Sequence, residues 1–170
     1  MKIRLRKATV NYLQINDLKP VETTFPKGFV LEKQEHPSPE KYLEVYKKIG
    51  APWNWSERLL MSYDELKNII TAPQTSVYFL IFENEVCGFF ELAFGVNDAE
   101  LVYFGLHPDF TGKGLGTPLI NAVKNKAYEE GARRLWLHTC DFDSPAALPF
   151  YLKSGFEVYK TREAFEKHVY

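Results

Sequence analysis

Leu106-His107-Pro108-Asp109-Phe110-Thr111-Gly112-Lys113-Gly114-Leu115-Gly116-Thr117 decides how this chain is read. It joins a β-like run, Ala99 to Leu106, to a segment whose Leu119, Ile120, Val123 and Ala127 fall on one helical face. Three alternate glycines between strand and helix present unpaired backbone N–H groups to an anion. Gly admits positive φ and lets a phosphate approach where a Cβ would collide, and the helix N-terminus adds its positive dipole end. A diphosphate is the natural guest. A P-loop would need Ser or Thr after Lys113, where Gly114 stands. A dinucleotide fingerprint would need Gly in place of Thr117 and an acidic residue near the apolar Trp136. A turn that merely connects two elements need not bear the entropy cost of three glycines.

Working outward, Ser76–Phe82, Val86–Phe94 and Ala99–Leu106 are three β runs joined by short turns, an antiparallel meander. Upstream, Phe29–Lys33 reads as a strand. Ser38-Pro39 caps a helix with Tyr42, Leu43, Tyr46 and Ile49 on its stripe, and Ser62 to Glu65 is a capping-box pattern heading a second helix. Between these helices lies an aromatic loop with Trp53, Trp55 and Arg58. Downstream, the glycine-loop helix stops at Gly131, and Arg134–Cys140 is a strand. Ser144-Pro145 then opens another helix, and Phe156–Lys160 returns as strand, with more strand and a tail after it. The order β-α-α-β-β-β-α-β-α-β predicts an α/β (α+β) fold, a mixed, mostly antiparallel sheet with helices on both faces. Residues 1–28 read as a β-rich extension packing on a domain of residues 29–170, a single domain overall.

Composition excludes several classes. With 21 basic against 22 acidic residues, the chain has no basic excess for a nucleic-acid backbone. The N-terminus alternates charge with apolar residues, unlike a signal peptide, and no run approaches the roughly 20 apolar residues of a membrane span, so a cytoplasmic protein is expected. Cys87 and Cys140 lie far apart, and neither they nor His36 and His168 form a constellation that would hold a metal.

Two blocks carry a family resemblance. LHPDFTGKGLG resembles the V-x-P-x-x-R-G-x-G-hydrophobic-G/A loop of the GNAT N-acetyltransferases. SPAALPFYLKSGFEVY is similar to that family's N-x-x-A-x-x-x-Y-x-K-x-G-F signature through Ser144, Ala147, Tyr151, Lys153, Gly155 and Phe156. The likeness covers residues 29 to 160. Thr111 stands where Arg or Gln is usual, and Ser144 where Asn is usual. The resemblance implies acetyl-CoA as cosubstrate, held by Gly112, Lys113, Gly114, Leu115, Gly116 and Thr117 with Phe104, Leu106 and Ser144. It also implies direct transfer of the acetyl group to a primary amine, with a small-molecule acceptor expected. The alternative is an acyl-CoA-binding module of the same fold without chemistry.

An ammonium with a pKa near 10.4 is only about 0.04% neutral at pH 7, so a base should stand at the acceptor. Glu100 sits where the family's histone-acetylating branch carries its base. Strand alternation puts Glu100, Val102, Phe104 and Leu106 on one face. Glu91 is the competing carboxylate, expected opposite Val102 if a four-residue turn joins its strand to the next. Base, water relay and ammonium ligand all remain open for Glu100. The resemblance places the Tyr151 hydroxyl at the CoA sulfur, where it would steady the thiolate. Trp53 and Trp55 are either walls of an acceptor pocket or packing beneath a loop. His138 is either a satisfied sheet residue or a second base. Exposed β edges in the extension or the tail could pair two chains as a homodimer.

Overall fold

The computed structural model describes residues 2–169. Seven strands form one sheet: β1 (Ile3–Ile15), β2 (Phe29–Lys33), β3 (Thr75–Phe82), β4 (Glu85–Phe94), β5 (Asp98–Leu106), β6 (Arg134–Cys140) and β7 (Glu157–Val169). Their order across the sheet is β2-β3-β4-β5-β6-β1-β7, and only β5 and β6 run parallel. The helices are α1 (Pro39–Gly50), α2 (Tyr63–Ile70), α3 (Gly116–Glu129) and α4 (Ala147–Lys153).

Local chemistry sets the helix starts. The Ser38 hydroxyl accepts from the Lys41 N–H ahead of Pro39. Ser62 and Glu65 complete a reciprocal capping box on α2. At the β3–β4 hairpin, Glu83 and Asn84 both take positive φ, 49° and 65°, the twist a two-residue turn needs between right-twisted strands.

Alternation along β3 and β4 divides the interior in two. Tyr78, Leu80, Phe90 and Leu92 meet Leu119, Ile120 and Val123 of α3 on one face. On the other, Val77, Phe79 and Phe89 meet Tyr42, Tyr46 and Ile49 of α1 and Leu66 and Ile70 of α2. This is the mixed sandwich that the element order predicts.

Three details differ from the sequence reading. The opening segment, read as an extension, supplies β1, which lies inside the sheet between β6 and β7. The helix expected from Ser144-Pro145 begins at Ala147; Ser144 instead closes a turn, its Oγ accepting from the Ala146 N–H at 3.2 Å. Strand β7 runs on to Val169, paired along β1 as far as Ile3. Among the described residues no helix is long and apolar enough to cross a membrane.

Candidate active site

Strands β5 and β6 pair only at Asp98 with Arg134, Ala99 with Leu135 and Glu100 with Trp136. Beyond Glu100 they diverge, and a cavity of about 690 Å³ fills the gap, lined by Leu101–Leu106 on one side and Leu137–Cys140 on the other. Where β5 loses β6 it also bulges against β4: Leu92 pairs with Leu101 and Glu91 with Tyr103, leaving Val102 as the extra residue. The bulge corrects the expected facing. Glu100, opposite Ala93, lies on the α1–α2 face, whereas Phe104 and Leu106 pack with the α3–α4 cluster. Glu91 opposes Tyr103, not Val102.

The His107 N–H donates to the Cys87 carbonyl of β4 at 2.7 Å. Backbone groups alternate along a strand, so the Leu106 N–H points to the opposite edge, into the gap. It is a donor aimed at whatever occupies the cavity.

The glycine loop follows. The imidazole Nδ1 of His107 accepts from the Asp109 N–H at 3.2 Å, and the Thr111 hydroxyl donates to the Pro108 carbonyl at 2.8 Å, so both side chains shape the turn. Gly112 and Gly114 have φ of +72° and +75°, and a Cβ on either would meet nothing within 4 Å. Open space and left-handed backbone together are what an approaching phosphate requires. Among the described residues, the N–H groups of Gly112, Lys113, Gly114, Leu115, Gly116 and Thr117 meet no acceptor. Leu115 contributes backbone only, its side chain being buried. The Lys113 ammonium lies over the Phe110 ring at 5.2 Å. Gly116 borders the cavity, and a Cβ there would stand 3.2 Å from the Phe150 ring.

On the α3–α4 side, Tyr151, Phe104, Leu106, Phe150 and Ser144 line the cavity. Tyr151 packs edge-on to Phe104 and Phe156, with centroids 6.1 and 5.7 Å apart. Its hydroxyl has no hydrogen-bond partner among the described residues. Burial, and then the nearby Asp143, push its pKa up, so Tyr151 keeps its proton and acts as a donor.

On the α1–α2 side, Glu100, His138, Trp53, Trp55, Glu57 and Tyr103 line the cavity. Burial is the main cause raising the Glu100 pKa, partly opposed by His138. Glu91 does not line the cavity. Only 1% exposed, it receives the Arg58 guanidinium at 2.7 Å and the Tyr42 hydroxyl. A buried carboxylate so engaged has no group left for an acceptor, and its nomination as a substrate ligand is corrected on that ground.

The network goes further than the sequence indicates. The Arg58 N–H donates to the Tyr46 hydroxyl at 3.4 Å, Tyr46 lies 3.4 Å from the Tyr103 hydroxyl, and Tyr103 donates to Glu57 at 3.1 Å. Trp55 is wedged between Tyr46 and Tyr103, centroids 5.5 and 5.1 Å away. It is both packing and wall. Tyr42 and Tyr46 read in sequence as a helical core stripe, and nothing there showed that their hydroxyls bind this loop in place. Tyr103 and Glu57 carried no signal at all. Among the described residues no three His, Cys, Asp or Glu side chains gather as a metal site.

Residues 40–156 match the Acetyltransferase (GNAT) family. The chain belongs to that family. A mycothiol acetyltransferase of Corynebacterium efficiens is 33% identical over 95 residues, which are 55% of this chain and 32% of that protein. A GCN5-related N-acetyltransferase of Sphaerobacter thermophilus superposes with a TM-score of 0.66 at 17% identity, covering 96% of this chain and 52% of that one. The PaiA N-acetyltransferase of Thermoplasma acidophilum, solved with coenzyme A, gives a TM-score of 0.61 at 22% identity and covers 83% of this chain and 99% of that one. This GNAT chain therefore spans about a third of its curated relative and about half of the Sphaerobacter protein.

Proposed function

We propose that this chain moves the acetyl group of acetyl-CoA to a primary amine of a small molecule by direct attack, without an acetyl-enzyme. The reading is carried by the six amides of residues 112–117 at the head of α3, unpaired among the described residues, with open space where Gly112 and Gly114 lack a Cβ. Such a cradle fits a diphosphate. Membership in the GNAT family supports acetyl-CoA as its bearer, and the likeness to a mycothiol acetyltransferase supports a small acceptor.

The residues divide the work by position. Gly112 to Thr117 hold the diphosphate, while Phe104, Leu106 and Ser144 border the path into the gap. The Leu106 N–H meets the thioester oxygen, where negative charge develops during attack. Glu100 takes the proton of the ammonium. Burial raises its pKa and so makes it a stronger base than a free carboxylate. Tyr151 hydrogen-bonds the departing sulfur. A phenol of ordinary pKa about 10 would give its proton to a thiolate of about 8.5 only uphill, and burial steepens that slope, so Tyr151 stabilises the thiolate without surrendering the proton. Trp53 and Trp55 wall the acceptor side.

The test is thiol release from acetyl-CoA with a panel of amines: putrescine, glucosamine, kanamycin, L-lysine and cysteamine. Calorimetric titration with acetyl-CoA runs beside it. Binding with turnover on at least one amine is expected. Binding without turnover would make the chain an acyl-CoA-binding module, and no binding would remove the proposal.

A further inference from the structure

We propose that His138 is the outlet through which Glu100 sheds the proton it takes from the acceptor, a positioning and relay role resting on the reading of Glu100 as the base. A base that lines a cavity must be emptied each turnover. Glu100 is ill placed to do this itself, since its side chain is 25% exposed while that of His138 is 52% exposed. His138 Nε2 lies 3.9 Å from Glu100 Oε1, too long for a direct hydrogen bond and suited to one intervening water. Both residues line the cavity at the point where β5 and β6 part. His138 thus spans from the carboxylate to the outside.

The neighbours on both groups can be named. Glu57 and Arg58 come from the aromatic loop, and both act on Glu100. Glu91 on β4, paired with Arg58, acts on it as well. On β1, Tyr12 pairs with His138 and sets its ring 5.7 Å away, fixing one side of the imidazole. From β7, Arg162 donates to the Tyr12 hydroxyl at 2.9 Å and the Lys160 ammonium sits 5.5 Å from its ring, so positive charge stands on the far side of Tyr12. The other side of the half-exposed imidazole is open to solvent.

The step balances simply. The acceptor ammonium loses a proton to the Glu100 carboxylate, which becomes a carboxylic acid. That acid passes a proton through water to His138 Nε2, and the imidazolium releases one to bulk water, restoring both groups with no change of electrons.

The experiment uses His138→Gln with the fastest amine of the panel above. Expected are a fall in kcat of about tenfold, an unchanged KM for acetyl-CoA, and recovery of most of the rate on adding imidazole, to which the wild type does not respond. His138→Thr, a strand former at a half-exposed position, serves if the Gln variant loses thermal stability. Unchanged kcat in a folded variant, or a loss that imidazole leaves untouched, overturns the proposal. Glu100→Gln separates the two ideas. Full activity in Glu100→Gln removes the base and the relay with it, whereas loss there beside normal His138 variants removes the relay alone. Absence of turnover on every amine sinks both.

Discussion

Replacing Gly114 by Ala tests the cradle with little else disturbed. Its φ is +75°, and the added Cβ meets nothing within 4 Å, so no steric clash enters. What remains is the backbone preference: a left-handed residue with a Cβ costs roughly 1–2 kcal/mol. In the free variant the loop should escape that cost by relaxing to negative φ, because among the described residues none of its amides from residue 112 to 117 is tied to an acceptor. Binding a diphosphate forbids the escape, and the cost then falls on the complex. A dissociation constant for acetyl-CoA weakened about 5- to 30-fold follows, with the melting temperature almost unchanged. Gly112→Ala, at φ +72°, should do the same. Gly131→Ala is the control. Its φ is +103°, also with open space around it, but it ends α3 far from the cavity, so it should lower stability and leave affinity intact. Calorimetric titration and thermal unfolding give both quantities. Affinity within twofold of wild type for both loop variants would show that the amides do not grip the phosphates.

Tyr151→Phe removes a hydroxyl that has no hydrogen-bond partner among the described residues. It should lower kcat by about ten- to a hundredfold with acetyl-CoA affinity unchanged by calorimetry, and unchanged kcat would take Tyr151 out of the mechanism. Arg58→Ala leaves Glu91 buried and uncompensated, with side-chain exposures of 7% and 1% in the native pair. Denaturant unfolding should show a loss of about 3–5 kcal/mol, much of it recovered in Arg58→Met combined with Glu91→Leu. Gly105→Ala would set a Cβ 2.5 Å from Ile49 Cγ2 and 3.2 Å from Trp55. Overpacking of about 1–3 kcal/mol and a raised KM for the amine, read by unfolding and steady-state kinetics, are expected. The base must be ionised to act, so kcat/KM should fall as pH drops through the raised pKa of Glu100. That point lies above the usual carboxylate range, and a pH profile of Glu100→Gln should lack the bend.

Legibility in the sequence followed the range of the interactions. The glycine loop, the capping box at Ser62 and the stripe of α1 are local, and their chemistry is written in adjacent residues. Sheet membership of β1 is not. Its partners in β6 and β7 stand more than 100 residues away, and Val10 pairs with both Cys140 and Arg162. An alternating segment at a chain end reads the same whether it caps a sheet or enters it. Glu91 misled for a related reason. A carboxylate on an otherwise apolar strand marks a site only if no cation reaches it, and Arg58 reaches it from a loop that follows α1. The bulge at Val102 had no signal either, since neither Gly nor Pro stands there. It arises from fitting β5 to β4 on one edge while releasing β6 on the other.

That bulge is the step on which the division of labour rests. In an unbroken strand Glu100 and Phe104 would share a face, by the alternation that governs every other strand. The glycine loop, α4 and Tyr151 all lie on the α3–α4 side, so Glu100 would point into the same apolar layer, away from Trp53, Glu57 and His138. One extra residue at Val102 turns Glu100 to the α1–α2 face while Phe104 and Leu106 stay with Tyr151. On the proposed reading the coenzyme and the acceptor then sit on opposite faces of the sheet and meet where the sheet is open. The opening begins at the next residue, because pairing of β5 with β6 ends at Glu100 and Trp136. The proposed thioester, entering from one face, and the proposed amine, entering from the other, would thus converge on the Leu106 N–H in the gap. Filling that gap with hydrogen-bonded strand would separate the two substrates without touching any residue proposed to bind either.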